Sequence, residues 1–177
     1  KQILIFEAFD APIPEFAHVP LVLGNKGEKL SKRHGATSVD EYRKMGYLPE
    51  AMLNYLARLG WSFDDEKEIF SIDELIEVFT LDKVGKSGGI FDQQKLQWLN
   101  GEYLRELPPE KFHSGAVHAL ARAGIDTNQW PVGYVKAALD TCLGKVKLFA
   151  ELPAYAGFYF TDDIQLDPAA LAKDFSA

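Results

Sequence analysis

One short strand-like run limits how this chain can fold. His18-Val19-Pro20-Leu21-Val22-Leu23 is apolar, rich in branched residues, and stops at Gly24. It reads as a buried strand, with Pro20 marking a sheet edge or a strand start. Before it, residues 1–9 read as a short helix or the end of one, broken by Ala11-Pro12-Ile13-Pro14. After it the pattern is helical to the end. A lone strand near an N-terminus needs partners, and these are expected outside this chain. The opening residues therefore read as the tail of a larger α/β domain. The chain starts at Lys1 rather than Met, which is expected of a processed chain or a piece of a longer one.

The helical part is punctuated by caps. Ser38-Val39-Asp40-Glu41 and Ser71-Ile72-Asp73-Glu74 are capping boxes, and Asp92 is a third cap. Phe70 with Leu75, and Phe91 with Leu96, are spaced as hydrophobic staples. Between them Pro49 opens a helix in which Leu48, Met52, Tyr55, Leu56 and Leu59 recur on one face, with Glu50, Asn54 and Arg58 as the wet stripe and Gly60 as the stop. Beyond Pro108-Pro109 three amphipathic helices are predicted over 110–123, 130–143 and 145–157, with a short one opening at Asp167-Pro168.

Composition excludes some classes. The chain has 177 residues, 47% hydrophobic and 25% charged, which suits a globular protein. No apolar run approaches the ~18 residues that span a bilayer. Cys142 is the only cysteine, so neither an intrachain disulfide nor a cysteine-rich zinc site can form. A reducing cytoplasm fits. His113 and His118 lack a third ligand, so no metal site is expected.

The net charge of −7 argues against a nucleic-acid partner only until it is mapped. Residues 62–82 hold eight acids against Lys67 alone, whereas 24–46 and 83–147 are each net basic by three charges. The acidic stretch reads as a solvated face. Arg43, Lys44 and Arg58 are candidate phosphate contacts, or ordinary exposed helix charge. Lys83-Val84-Gly85-Lys86-Ser87-Gly88-Gly89 is either a nucleic-acid backbone contact or a connector. Trp61, Trp98 and Trp130 have the surface to stack on bases, but Trp98, between Leu96 and Leu99, reads as core. Phe149, Tyr155, Phe158, Tyr159 and Phe160 likewise read as core, and Cys142 as a small core residue.

The chemistry lies in the loop after the strand. Lys29-Leu30-Ser31-Lys32-Arg33 puts three cations and a hydroxyl on a glycine-flanked segment, and the C-terminal end of a strand in an open α/β sheet is where ligands bind. Such cations can follow a polyphosphate and stabilise charge that builds during phosphoryl or nucleotidyl transfer. A solvated basic turn would have the same composition.

That five-residue segment resembles the KMSKS signature of class I aminoacyl-tRNA synthetases, with Leu for Met and Arg for the final Ser. The longer string from His18 to Val39 resembles bacterial-type glutamyl-tRNA synthetase. So do the block from Gly46 to Trp61 and Phe91-Asp92-Gln93-Gln94-Lys95-Leu96-Gln97-Trp98-Leu99-Asn100-Gly101. The three blocks stand in the family's order and cover residues 1–106, while 107–177 resemble its helical anticodon-binding region more loosely.

The resemblance implies a mainly α chain in three parts. These are the end of an α/β nucleotide-binding catalytic fold (1–36), a helical stem-contact domain (37–106), and the first, truncated part of an α-helical anticodon-binding bundle (107–177). It implies a ligase that joins glutamate to ATP as glutamyl-adenylate and passes the glutamyl group to tRNA. Lys32 would contact the ATP phosphates and stabilise the transition state at the α-phosphate. Lys29 would assist electrostatically, and Ser31 would shape the loop. Leu30 and Arg33 complete the ATP-binding segment, and the backbone of Val22 and Leu23 would lie near the adenine. Mg²⁺ would come with ATP, its ligands outside this chain. Glutamate tRNA is the implied partner, the glutamate site and HIGH motif are expected upstream, and a monomer is expected. The chain would then be a C-terminal fragment, catalytically incomplete alone. Rivals are a glutamyl-queuosine synthetase-like enzyme, a glutaminyl-tRNA synthetase, and a stand-alone helical binding module.

Overall fold

The computed structural model describes residues 1–30, 38–64 and 66–163. Helix α1 (Gln2–Ala8) buries none of its residues. An irregular stretch then leads to β1 (Val22–Leu23). The strand is shorter than its apolar run, and Val19 and Leu21 are exposed. Its partner is within the chain, which corrects the expectation that partners lie elsewhere. Strand β2 (Gly89–Ile90) pairs with it in parallel, Val22 opposite Gly89 and Leu23 opposite Ile90. A two-residue strand made of Gly and Ile is too short to show an alternating pattern, so its sequence is silent. Glycine is needed there for space: a Cβ on Gly89 would lie 2.9 Å from Leu59 Cγ.

The helix starts follow the local code. Ser38 opens α2 (Val39–Met45) and Ser71 opens α4 (Ile72–Val78), each through a closed capping box with Glu41 or Glu74. Asp92 opens α5 (Gln93–Glu106) by accepting the N–H groups of Gln94 and Lys95. Such caps contribute ~1 kcal/mol each. Pro49 and Pro109 sit in the first turns of α3 (Pro49–Arg58) and α6 (Pro109–Arg122), where a missing N–H costs nothing.

Three clusters of apolar residues hold these helices. Tyr42, Tyr47, Tyr55, Leu96 and Leu99 bind α2, α3 and α5 together. Trp61, Phe70 and Leu75 hold the following loop and α4. Phe112, Leu120, Leu139, Cys142, Val146 and Leu152 form the core of the C-terminal bundle, with Cys142 buried as expected. That bundle comprises α6, α7 (Val132–Asp140) and α8 (Leu152–Ala156). Leu148 leaves it to join the first cluster.

Tertiary packing overrides the pattern at several places. Asn54, assigned to the wet stripe of α3, has no exposed surface: Phe70 N–H donates to its Oδ1 at 2.6 Å, and its Nδ2 donates to the Glu68 carbonyl at 3.0 Å. Its amide replaces the backbone partners that the irregular loop before α4 cannot supply itself. Arg58, from the same stripe, is half-buried. It donates to the Lys67 carbonyl and lies 6.0 Å from the centroid of Phe70. Trp98 is 38% exposed rather than core. At 100° per residue it stands about 200° from Leu96 on the helix wheel, facing away from the packed side. The helix predicted over 145–157 is instead a 3₁₀ turn (Phe149–Glu151), α8 and a second 3₁₀ turn (Gly157–Phe160). Pro153 has no N–H and can only sit near a helix start, so α8 begins beside it. Within that segment Tyr155 and Phe158 are exposed, while Phe149, Tyr159 and Phe160 pack on the core. The helix expected at Asp167-Pro168 lies outside the described residues.

Candidate functional site

After β1 the chain folds back on itself in a tight hairpin. Gly24 N–H donates to the Glu28 carbonyl at 2.7 Å, Gly27 N–H to the Gly24 carbonyl at 2.9 Å, and Leu30 N–H to the Val22 carbonyl at 3.0 Å. Leu23 and Lys29 face each other as an antiparallel bridge. The other edge of β1 is held by β2 and the residue after it: Gly89 N–H donates to the Leu21 carbonyl at 3.1 Å and Phe91 N–H to the Leu23 carbonyl at 2.7 Å. The Val22–Leu23 backbone, assigned to the adenine by resemblance, is thus hydrogen-bonded along both edges.

Lys29 is exposed on the returning strand, and Lys26 is exposed at the turn. The Glu28 carboxylate accepts Lys26 N–H at 3.0 Å. Beside the hairpin lies a cavity of about 420 Å³, walled by Asn25, Lys26, Glu28, Leu30, Tyr42 and Phe91. One wall is apolar and aromatic, and the rim carries charge. Burial pushes the Tyr42 hydroxyl above the usual tyrosine range, with Tyr47 and Glu41 adding to it, so this wall stays neutral at ordinary pH. The Lys26 ammonium on the rim of this half-apolar cavity, beside the rings of Tyr42 and Phe91, can hold an anion that carries an aromatic ring; Lys29 is exposed on the same hairpin but does not line the cavity. Ser31, Lys32 and Arg33 lie outside the described residues.

Residues 1–98 match the family model of tRNA synthetases class I (E and Q), catalytic domain. The match covers more than half of the chain. The chain belongs to the class I tRNA synthetases (E and Q). It is 47% identical over 173 residues to the glutamate–tRNA ligase of Geobacter sulfurreducens, covering 98% of this chain and 36% of that protein. To the glutamate–tRNA ligase of Moorella thermoacetica it is 42% identical over 179 residues, covering 99% and 36%. Among solved structures, it is similar to a glutamate tRNA ligase from Elizabethkingia meningosepticum in complex with its amino acid. There the TM-score is 0.80 and the identity 32%, covering 98% of this chain and 38% of that one. The chain spans a little over a third of the length of these relatives.

Within this class I synthetase segment the other cations have definite places. Arg43 is exposed and 3.6 Å from Asp40. Arg122 donates to the carbonyl of Lys44 at 2.8 Å, while Arg58 is committed to the loop before α4. Lys83 stacks 4.7 Å over Phe63, Val84 packs half-buried on the Trp61 cluster, and the loop is exposed from Gly85 to Gly88 before Gly89 enters β2. Trp61 is buried, and Trp130 stacks on Tyr134 with ring centroids 5.1 Å apart. His113 Nε2 lies 2.7 Å from Asp140 Oδ1, tying α6 to α7. Among the described residues there is no cluster of three or more potential metal ligands, and no helix is long and apolar enough to cross a membrane.

Sequence reasoning missed what supports the hairpin. In the sequence Phe91 and Asp92 carry a staple and a cap and open a family-like block, with no local sign of a contact to β1. In the structure Phe91 also holds β1 by its N–H, and the Tyr55 hydroxyl holds the backbone of Asp92. The one available signal was indirect: Tyr55 and Phe91-Asp92 lie in two of the three family-like blocks.

Proposed function

We propose that this chain is the part of a glutamate–tRNA ligase that carries the KMSKS-like loop, the stem-contact helices and the first anticodon-binding helices. Relatives that are glutamate–tRNA ligases along nearly the whole of this chain support the reading. The observation that carries it is the hairpin after β1, which exposes Lys29 on its returning strand and puts Lys26 on the rim of a cavity walled in part by Tyr42 and Phe91.

In the first step a glutamate carboxylate oxygen attacks the α-phosphorus of ATP, and pyrophosphate leaves. In the second, a hydroxyl of the tRNA 3′-terminal ribose attacks the adenylate carbonyl, and AMP leaves. Lys32 and Lys29 stabilise the negative charge that builds on the phosphate oxygens as the first transition state forms. Ser31, with Leu30 and Arg33, shapes the loop around ATP. Mg²⁺ arrives with ATP, and its protein ligands belong to the part of the fold outside this chain. The glutamate site and the HIGH motif belong there too. The domains divide at residues 36 and 106, and the protein works in the cytoplasm as a monomer on glutamate tRNA.

The test is pyrophosphate exchange with tRNA present. The full-length protein should be active, and Lys32→Ala should lower kcat by ~10²-fold or more. The 177-residue piece alone should give only the blank rate. An unchanged rate in Lys32→Ala refutes the role of the loop, and exchange by the piece alone refutes its incompleteness.

A further inference from the structure

We infer that Tyr55 is a positioning residue for the loop that carries Lys29, acting through the β2–α5 corner; this rests on the ligase reading above. Tyr55 is on α3, far along the chain from the loop, and only 5% exposed. Its hydroxyl accepts Asp92 N–H at 2.6 Å and donates to the Asp92 carbonyl at 3.0 Å. One side chain thereby meets both backbone groups of a single residue at the helix start: it gives the Asp92 N–H an acceptor, and it shares the Asp92 carbonyl with the Leu96 N–H, which donates to it at 3.1 Å.

Asp92 is joined directly to Phe91. The Phe91 ring meets the edge of Tyr55 with centroids 5.2 Å apart at 79°, and it lies 5.9 Å from Tyr42. Its N–H donates to the Leu23 carbonyl at 2.7 Å. Leu23 in turn bridges Lys29 across the hairpin. The path from the Tyr55 hydroxyl to the Lys29 backbone thus runs through one covalent neighbour and two backbone pairings. β1 and β2 are two residues each, so only a few backbone hydrogen bonds tie the hairpin to its neighbouring strand. Burial pushes the Tyr55 hydroxyl up to about 12, so it keeps the proton it donates throughout the working pH range. A transition-state contact from Lys29 needs the hairpin set to within a fraction of an ångström, because small misplacements of charge are costly in rate.

Tyr103 supplies a matched control. Its hydroxyl lies 2.5 Å from the Phe70 carbonyl and 2.8 Å from Asn54 Oδ1, and burial pushes it to about 12 as well. Those partners belong to α3 and the loop before α4. Tyr55→Phe and Tyr103→Phe are each made in the full-length protein and assayed by tRNA-dependent pyrophosphate exchange, well below their unfolding midpoints. Both should lower the midpoint. Tyr55→Phe alone should lower kcat by at least about fivefold, with KM for glutamate within about twofold of the unmodified protein. Tyr103→Phe should leave kcat within about twofold. Equal losses in both variants, or an unchanged kcat in Tyr55→Phe, overturn the inference. If Tyr55→Phe does not fold, Phe91→Leu keeps the backbone N–H and removes the ring. It should lower kcat in the same direction with KM for ATP within about twofold, although the ring also walls the cavity, and an unchanged kcat or a loss confined to KM for ATP is equally fatal. Absence of exchange in the unmodified protein would instead defeat the ligase reading, and this inference with it.

Discussion

The side chain of Asn100 donates from Nδ2 to the carbonyl of Lys147 at 2.6 Å. Its Oδ1 accepts Leu48 N–H at 2.7 Å, and the residue has no exposed surface. One amide on α5 thus joins the residue before α3 to the segment that leads into α8. A buried amide satisfied at both ends fixes orientation, which apolar packing alone does not.

Replacing Asn100 by alanine should therefore loosen the junction. Two buried backbone groups would lose their partner, at a cost of about 2–3 kcal/mol. Denaturant unfolding should show the lower midpoint. Hydrogen exchange in α6–α8 should speed up more than in α3. A uniform change across both units would mean that Asn100 is not the junction's fixing point.

Asn54 makes the same kind of contact within the helical unit. Asn54→Leu keeps the volume but strands Phe70 N–H and the Glu68 carbonyl, so a loss of about 3 kcal/mol is expected. A surface asparagine on the wet stripe would cost only a few tenths. The urea midpoint separates these two outcomes cleanly.

Gly46 closes α2 at φ 88°. An alanine there would put its Cβ 2.9 Å from Phe149 Cβ and 3.0 Å from Phe149 N. The left-handed conformation alone costs a side chain about 1–2 kcal/mol. Gly46→Ala should thus be more destabilising than Gly124→Ala, where φ is 81° but nothing lies within 4 Å. Equal midpoints in the two variants would show that Phe149 can yield.

Alkaline pH should unfold this protein through its buried tyrosines. Tyr55 and Tyr103 are pushed to about 12 by burial, against ~10 in an unfolded chain. Between those values the folded state keeps protons that the unfolded state releases. The stability they contribute is therefore complete below pH ~10 and is lost as pH rises toward ~12. Urea midpoints from pH 8 to 11.5 should fall above pH 10, and the slope should flatten in the Tyr55→Phe, Tyr103→Phe double variant. A flat profile in the unmodified protein would contradict the burial of these hydroxyls.

Much of this was legible before any coordinates. Ser38, Ser71 and Asp92 mark their helices because a cap is a contract between residues three positions apart, visible in any window of the sequence. The Phe70–Leu75 and Phe91–Leu96 staples are local for the same reason. The signature-like segment Lys29 to Arg33 was also legible, since its charges and flanking glycines need no tertiary context to be noticed. Gly89-Ile90 was not, because two residues cannot show a period. Asn54 and Trp98 were misplaced because polarity and adjacency stood in for the actual angle around a helix.

The sequence by itself determined where the capped helices α2, α4 and α5 begin and which loop holds the cations. These depend on short-range rules of backbone hydrogen bonding and side-chain spacing. Only the tertiary structure decided which strand pairs with β1, that Tyr55 secures the corner beneath the hairpin, and that Asn100 ties two helical units together. Each of those contacts joins residues far apart in the chain, through buried polar groups whose partners no local pattern can name.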